Sequence, residues 1–134
     1  MIKARGYIAS GSFRGNRIPQ HIQNRIIRSY CTSEQLAYVL SRAEYNFTSP
    51  CFSQLWAAIN DGYSDIVFYS IWQLPCDTQT RRRLFRIALE KRIRLHFACE
   101  GLQLSTLAEA GDLELILSLG LISYEDDERV RLCE

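Results

Sequence analysis

The sequence lacks the features that mark several large classes of protein. No apolar run approaches the roughly 20 residues needed to span a bilayer, and the first residues lack the apolar core of a signal peptide. The five cysteines are scattered, odd in number and never spaced Cys-x-x-Cys, which argues against a disulfide framework and a structural zinc site. A formal net charge of +1 gives no overall bias toward nucleic acid or anionic membranes. We therefore expect a reduced, cytoplasmic protein with no metal, no cofactor, no membrane insertion and no nucleic-acid partner.

What the sequence does contain is enough apolar material for one folded domain. Hydrophobic residues make up 47% of 134 residues, and apolar runs alternate with amphipathic stretches. We predict strands over 3–10, 36–40, 66–71 and 93–98, and helices starting at Pro19 and spanning 55–62 and 78–92. This alternation predicts an α/β fold in three layers, with helices on both faces of a mostly parallel sheet.

The stretch from Asp65 to Asp77 is the centre of this prediction. The apolar run 66–69 is typical of a strand buried on both faces, and Pro75 stops it. Asp77 is placed to cap the helix that follows. A strand that leads into a loop and a helix N-terminus predicts a crevice where α/β sheets bind ligands.

The C-terminal part is predicted to be a helix and a short tail. We place the helix over 107–119 with Gly120 as its end, then a two-stranded finish over 121–132 around a solvated acidic turn, 125–128. The domain division is 1–104 for the α/β part and 105–134 for a helix and tail packed on it, as one domain overall. The apolar residues after Ser105 exceed what one terminal helix buries, so we predict a homodimer through this region. The arginine run 81–83, with Arg86, Arg92 and Arg94, is interpreted as a solvated helix surface or an oligomer contact.

The order of elements resembles the catalytic domain of serine recombinases, a resolvase-like fold related to the flavodoxin-like arrangement. The resemblance implies a sheet order of 2-1-3-4, and segment 71–77 occupies the place of that family's Leu-Asp-Arg-Leu-x-Arg-Asp. Both arginines of that segment are replaced, by Gln73 and Cys76, and the arginine expected in the first strand is Ala9. Those arginines stabilise the charge on the attacked phosphate, so we expect the fold without the activity of Ser10 or Ser12 as nucleophile.

A second resemblance is to the sporadic carbohydrate cluster proteins of bacterial surface-polysaccharide loci. It covers about residues 3 to 104 and implies a role in making lipopolysaccharide or capsule, without naming a reaction. The segments that carry it occur in the same order: Arg5–Ile8, Gly15–Gln20, Gln23–Asn24, Tyr38–Tyr45, Ile66–Ser70, Gln73–Pro75, Leu95–Ala98 and Glu100.

Candidate site residues follow the ends of the predicted strands or lie on the first helix. The carboxyl ends of parallel strands meet at one edge of the sheet, which we call the rim, so these side chains are expected to surround a ligand. The candidates for proton transfer are Glu44, His96 and Glu100. The candidates for ligand binding are Ser10, Ser12, Arg14, Arg17, Gln20, Gln23, Asn24, Ser70 and Gln73.

Simpler structural interpretations stay open for several of these residues. Gln23 and Asn24 fit an exposed helix face, His96 a hydrogen-bonded core histidine, and Glu100 a turn. The main functional hypothesis is that the rim binds or modifies a phosphorylated sugar, a nucleotide-sugar or a related metabolite. The alternatives are a non-catalytic accessory of polysaccharide assembly and, with less support, a degenerate recombinase-like domain that handles DNA. Whether the protein is an enzyme is left open.

Overall fold

The structure, a computed structural model, describes residues 1–10, 17–45 and 52–128, with side chains to residue 120. The described residues form five strands, four α-helices and one short 3-10 helix, Ile71–Gln73. The strands are β1 Ile2–Ala9, β2 Leu36–Glu44, β3 Asp65–Phe68, β4 Arg94–Phe97 and β5 Leu102–Leu104. The helices are α1 Gln20–Ser33, α2 Ser53–Ile59, α3 Thr78–Glu90 and α4 Leu107–Glu128.

The sheet order is β2-β1-β3-β4-β5. The first four strands are parallel, which confirms the predicted 2-1-3-4 arrangement. β5 pairs antiparallel with β4 and was not predicted. It has three residues, too few to show an alternating pattern, and it follows a tight turn at Gly101, where φ is +66°.

Side chains that alternate along the central strands divide the core into two layers. Ile8 and Val67 are buried with Ile27 of α1 on one side of the sheet. Tyr7 and Phe68, their neighbours along β1 and β3, are buried on the other side with residues of α2, α3 and α4. The predicted three-layer fold is therefore confirmed, with α1 alone on one face and three helices on the other.

Two predicted boundaries are corrected, and one predicted helix cap is confirmed. β2 continues past residue 40 to Glu44, because its polar end is paired: Arg42 makes two bonds of 2.7 Å to Asp61. β3 ends at Phe68, and Ile71, predicted as strand, begins the 3-10 helix. At α3 the predicted cap is confirmed, since Asp77 Oδ2 accepts the Thr80 amide at 2.9 Å.

The predicted end of the last helix is wrong. α4 passes through Gly120 and continues to Glu128, so no two-stranded finish and no acidic loop occur over 121–128. Residues 129–132 of that prediction lie outside the described residues. Gly120 is needed for close packing, because a Cβ there would collide with the indole ring of Trp72.

α4 packs on the sheet through a narrow set of residues. Ala110, Leu113 and Leu117 are buried in the main core. Leu115 and Leu119 are 61% and 60% exposed. The exposed leucines are the surface on which the predicted homodimer depends, and the homodimer and the division at residue 104 stay predictions. No helix among the described residues is both long and apolar enough to cross a bilayer.

Candidate functional site

The rim is held together by two buried glutamines, which we call the amide pair. Gln23 of α1 and Gln73 of the 3-10 helix are both 0% exposed. Gln23 Oε1 accepts hydrogen bonds from Gln73 Nε2 at 2.7 Å and from the Ala9 amide at 3.1 Å. Gln23 Nε2 donates to the carbonyls of Ala9 at 2.7 Å and Ile18 at 2.8 Å. Every hydrogen-bonding position of the Gln23 amide is therefore used within the protein.

The second glutamine connects the amide pair to β3. Gln73 Oε1 accepts a hydrogen bond of 3.0 Å from the main-chain amide of Tyr69, the residue that follows Phe68 at the end of β3. The pair thus joins the ends of β1 and β3 to α1 by neutral groups. The exposed-helix interpretation of Gln23 is wrong, because both glutamines lie beneath the surface of the rim. Their predicted role in ligand binding stays a prediction.

Ser10 lies at the end of β1 and is half-buried. Its hydroxyl oxygen is 2.8 Å from the carbonyl oxygen of Tyr45 and 3.3 Å from that of Glu44. A serine hydroxyl has one proton to donate, and here a main-chain carbonyl accepts it. Among the described residues no basic side chain forms a hydrogen bond with Ser10, so nothing in this geometry activates it as a nucleophile.

Glu44 is 5% exposed and caps the start of α2. Its Oε1 accepts from the Tyr7 hydroxyl at 3.0 Å and the Leu55 amide at 3.2 Å. Its Oε2 accepts from the Gln54 amide at 3.2 Å and the Ser53 hydroxyl at 3.4 Å. Burial and the neighbouring carboxylate together raise the pKa of Tyr7 far above its usual value. These contacts give Glu44 a structural role, and its predicted catalytic role stays a prediction.

Glu100 and Ser70 fix the start of the 3-10 helix. Glu100 Oε2 accepts from the Ser70 hydroxyl at 2.7 Å, and Oε1 accepts from the Ile71 amide at 3.0 Å. The Ser70 oxygen in turn accepts from the Trp72 amide at 3.2 Å. Glu100 therefore stabilises the loop after β3, and its predicted catalytic role stays a prediction.

His96 belongs to a separate buried network beneath α1. Its Nε2 is 2.7 Å from Asp65 Oδ1, and its Nδ1 is 2.8 Å from the Tyr30 hydroxyl. Asp65 is fully buried at the first position of β3, away from the rim, and it also pairs with Arg94 Nε at 2.8 Å. Burial raises the pKa of Tyr30 to about 12, so its hydroxyl stays protonated. The interpretation of His96 as a hydrogen-bonded core histidine matches these contacts.

The remaining predicted ligand-binding residues divide into described and undescribed ones. Ser12 and Arg14 lie outside the described residues. Arg17 lies just before α1 and is exposed. Gln20 is the first residue of α1 and is half-buried. Asn24 Oδ1 accepts from the Ser41 hydroxyl at 2.6 Å and the Tyr38 hydroxyl at 3.2 Å, which connects α1 to β2.

Arg81 corrects the interpretation of the arginine run as a solvated surface. It is 5% exposed, and its Nη2 lies 2.7 Å from Glu114 Oε2 of α4. Its Nη1 donates to the carbonyls of Cys76 at 2.7 Å and Pro75 at 3.1 Å. Arg81 thus joins α3, the loop before it and α4, and its charge is already neutralised by a carboxylate.

Sequence analysis missed two sets of residues. Asp65 was given no role, although a carboxylate at the start of a buried strand requires a partner. Arg25 and Arg28 were not singled out, although their spacing from His21 places all three on one side of α1.

The fold is similar to solved recombinase structures. The N-terminal catalytic domain of TP901-1 integrase matches with a TM-score of 0.60 and 12% identity, over 92% of this chain and 98% of that chain. A resolvase family site-specific recombinase from Streptococcus pneumoniae matches with a TM-score of 0.65 and 11% identity, over 94% of this chain and 92% of that one. At such low identity the likeness shows the fold alone. No protein-family model and no curated protein matches the chain.

These comparisons confirm the resolvase-like fold and correct the predicted function. The expected role in surface-polysaccharide biosynthesis is contradicted, because both structures are recombinase domains and no comparison supports the carbohydrate-cluster resemblance. The same finding contradicts the expected sugar or nucleotide-sugar ligand and the expected exclusion of nucleic acid.

Proposed function

We propose that this chain is a DNA-binding domain of resolvase-like fold that does not cut DNA. The DNA partner is carried over from the two similar structures, an integrase catalytic domain and a site-specific recombinase, which match the chain over more than nine-tenths of its length. The observation that supports the absence of strand cleavage is the buried, neutral amide pair beneath the rim.

Attack of a serine on a DNA phosphate places negative charge on the phosphate oxygens, and an enzyme must stabilise that charge with positioned cations. By the recombinase resemblance, arginines belong at positions held here by Ala9, Gln73 and Cys76. Ala9 and Gln73 are both 0% exposed, so neither position presents even a polar group to a bound phosphate. Gln73 is held in place by Gln23.

The hydroxyl of Ser10 fits the same account. A nucleophilic serine requires a base or a lowered pKa, and the contacts of Ser10 are to the main-chain carbonyls of Tyr45 and Glu44. A domain of this kind holds DNA by contacts to its backbone and leaves both strands intact.

The test combines a binding assay and a cleavage assay on the same preparation. Wild-type protein should retain a labelled duplex at low salt, leave supercoiled plasmid uncut and yield no protein–DNA adduct after denaturation. Ser10→Ala, the matched control, should behave as the wild type in all three measurements. Failure of the wild type to bind duplex at low salt would refute the DNA partner. Any protein–DNA adduct formed by the wild type would refute the absence of cleavage, and its loss in Ser10→Ala would identify Ser10 as the nucleophile.

A further inference from the structure

Three basic side chains form a line along the outer side of α1 and a fourth lies just before the helix; we call these four residues the α1 stripe. His21, Arg25 and Arg28 are separated by four and three residues, so they lie on one side of the helix, and Arg17 lies three residues before its first residue. All four are exposed. At 1.5 Å per residue the helical part of the stripe, from His21 to Arg28, extends over about 10 Å, a length over which one strand of duplex DNA presents about three phosphates.

The charges of the α1 stripe are not neutralised within the described part of the chain. α1 contains no Asp or Glu. Four arginines elsewhere in the chain are paired with carboxylates: Arg5 and Arg42 with Asp61, Arg81 with Glu114, and Arg94 with Asp65. None of the arginines of the α1 stripe forms a salt bridge with a described carboxylate. Their charge is therefore available to an external anion.

The stripe borders a groove that presents hydrogen-bond donors. His21, Asn24, Arg25 and Arg28 line an open groove of about 350 Å³. The carbonyl oxygen of Asn24 is held by hydroxyls from β2, so its NH₂ group is left as a donor at the groove. The Arg28 guanidinium lies over the ring of Tyr38, 5.1 Å from its centroid, which fixes the direction of its charge. Cations and an amide N–H donor are groups that bind phosphate oxygens.

The other exposed basic surface is a weaker candidate. Arg82 and Arg86 of α3 line a groove of about 610 Å³ on the opposite face of the sheet. That groove is largely apolar, with Phe85 in its wall, and it also contains the acidic side chains Glu90 and Glu114. Carboxylates among the arginines repel a phosphate backbone, whereas the α1 groove has none.

We propose that the α1 stripe and its groove hold the phosphate backbone of duplex DNA without reading its sequence. This inference rests on the proposed function and names the surface that performs it. Phosphate contacts position a duplex but do not distinguish bases, so affinity should depend on salt and hardly on sequence.

The test is the salt dependence of duplex binding, measured by fluorescence anisotropy with a short labelled duplex over a range of KCl concentrations. Three arginines that each neutralise one phosphate predict a slope of log K against log [salt] of about −2.7. The double variant Arg25→Gln, Arg28→Gln should reduce the size of the slope by about 1.8. The matched control Arg82→Gln, Arg86→Gln makes the same change of charge on α3 and should keep the wild-type slope.

The outcomes separate this inference from the proposed function. If the wild type fails to bind duplex at low salt, the proposed function is wrong and the inference with it. If the wild type binds duplex but only the α3 variant has a smaller salt dependence of binding, the inference alone is wrong. Vesicles of neutral lipid with and without phosphatidylserine test a membrane as the partner. The inference would be overturned if vesicle binding required the α1 arginines and duplex binding did not. Circular dichroism spectra that match the wild type are required of each variant.

Discussion

Replacing Gln23 by leucine should destabilise the protein strongly, although leucine is close to glutamine in size. The change removes four hydrogen bonds, to the Ala9 amide and carbonyl, the Ile18 carbonyl and Gln73 Nε2. Ile18 is half-buried and can recruit water, but Ala9 and Gln73 are fully buried. Three polar groups are thus left without partners, at about 1–3 kcal/mol each.

The burial of extra apolar surface by leucine offsets part of this cost, so we expect a loss of about 3–5 kcal/mol in the free energy of unfolding. Domains of this size have about 5–15 kcal/mol of stability, which makes the change easy to measure. The assay is urea unfolding followed by circular dichroism. The matched control is Gln20→Leu, three residues earlier on α1, which should stay within about 0.5 kcal/mol of the wild type.

A double-mutant cycle tests whether the two glutamines act as a pair. Because Gln23 and Gln73 share one hydrogen bond, the double leucine variant should lose less stability than the sum of the single variants, with a coupling of about 0.5–3 kcal/mol. A Gln23→Leu variant within 1 kcal/mol of the wild type, or single losses that simply add, would show that the amide pair does not hold the rim.

Two further predictions concern the buried aspartate and the packing of α4. Burial raises the pKa of Asp65, but hydrogen bonds from His96, Ser64 and Arg94 outweigh it and lower the pKa below its usual value. The contribution of this carboxylate to stability is therefore complete above about pH 4 and is lost as the pH falls through the lowered pKa. The stability gap between the wild type and Asp65→Asn should narrow in urea titrations below that pH, and a constant gap would contradict the assignment. Gly120→Ala brings a methyl group against Trp72, so it should lower the melting temperature despite the higher helix propensity of alanine. The control Gly111→Ala has open space around its Cβ position and should raise or preserve the melting temperature.

The sequence was most informative where a signal is local. The apolar runs that became β3 and β4 and the cap at Asp77 are properties of short segments, and they predicted their elements to within a few residues. The order of the first four strands came from the resemblance to recombinases. β5 is too short for such a signal, and the glycine in α4 is a helix-stop signal that the contact with Trp72 overrides.

The candidate site was harder because its contacts are distant in sequence. Gln23 and Gln73 are 50 residues apart, and Arg81 and Glu114 are 33 apart. A single sequence does not show which polar side chain will meet which partner, so residues placed on the rim by strand order were interpreted as ligand contacts. Several of them proved to be hydrogen-bonded to the protein itself. The basic positions of α1 were recoverable in principle, since His21, Arg25 and Arg28 have helical spacing and α1 lacks acidic residues.

The most direct test of the account is the binding of wild-type protein to a labelled duplex at low salt, followed by denaturing electrophoresis of the same samples. The account predicts that the duplex is bound, that its affinity falls as salt rises, and that both strands are recovered intact and free of protein. A duplex that stays unbound at low salt, or a strand recovered in covalent linkage to Ser10, would contradict it.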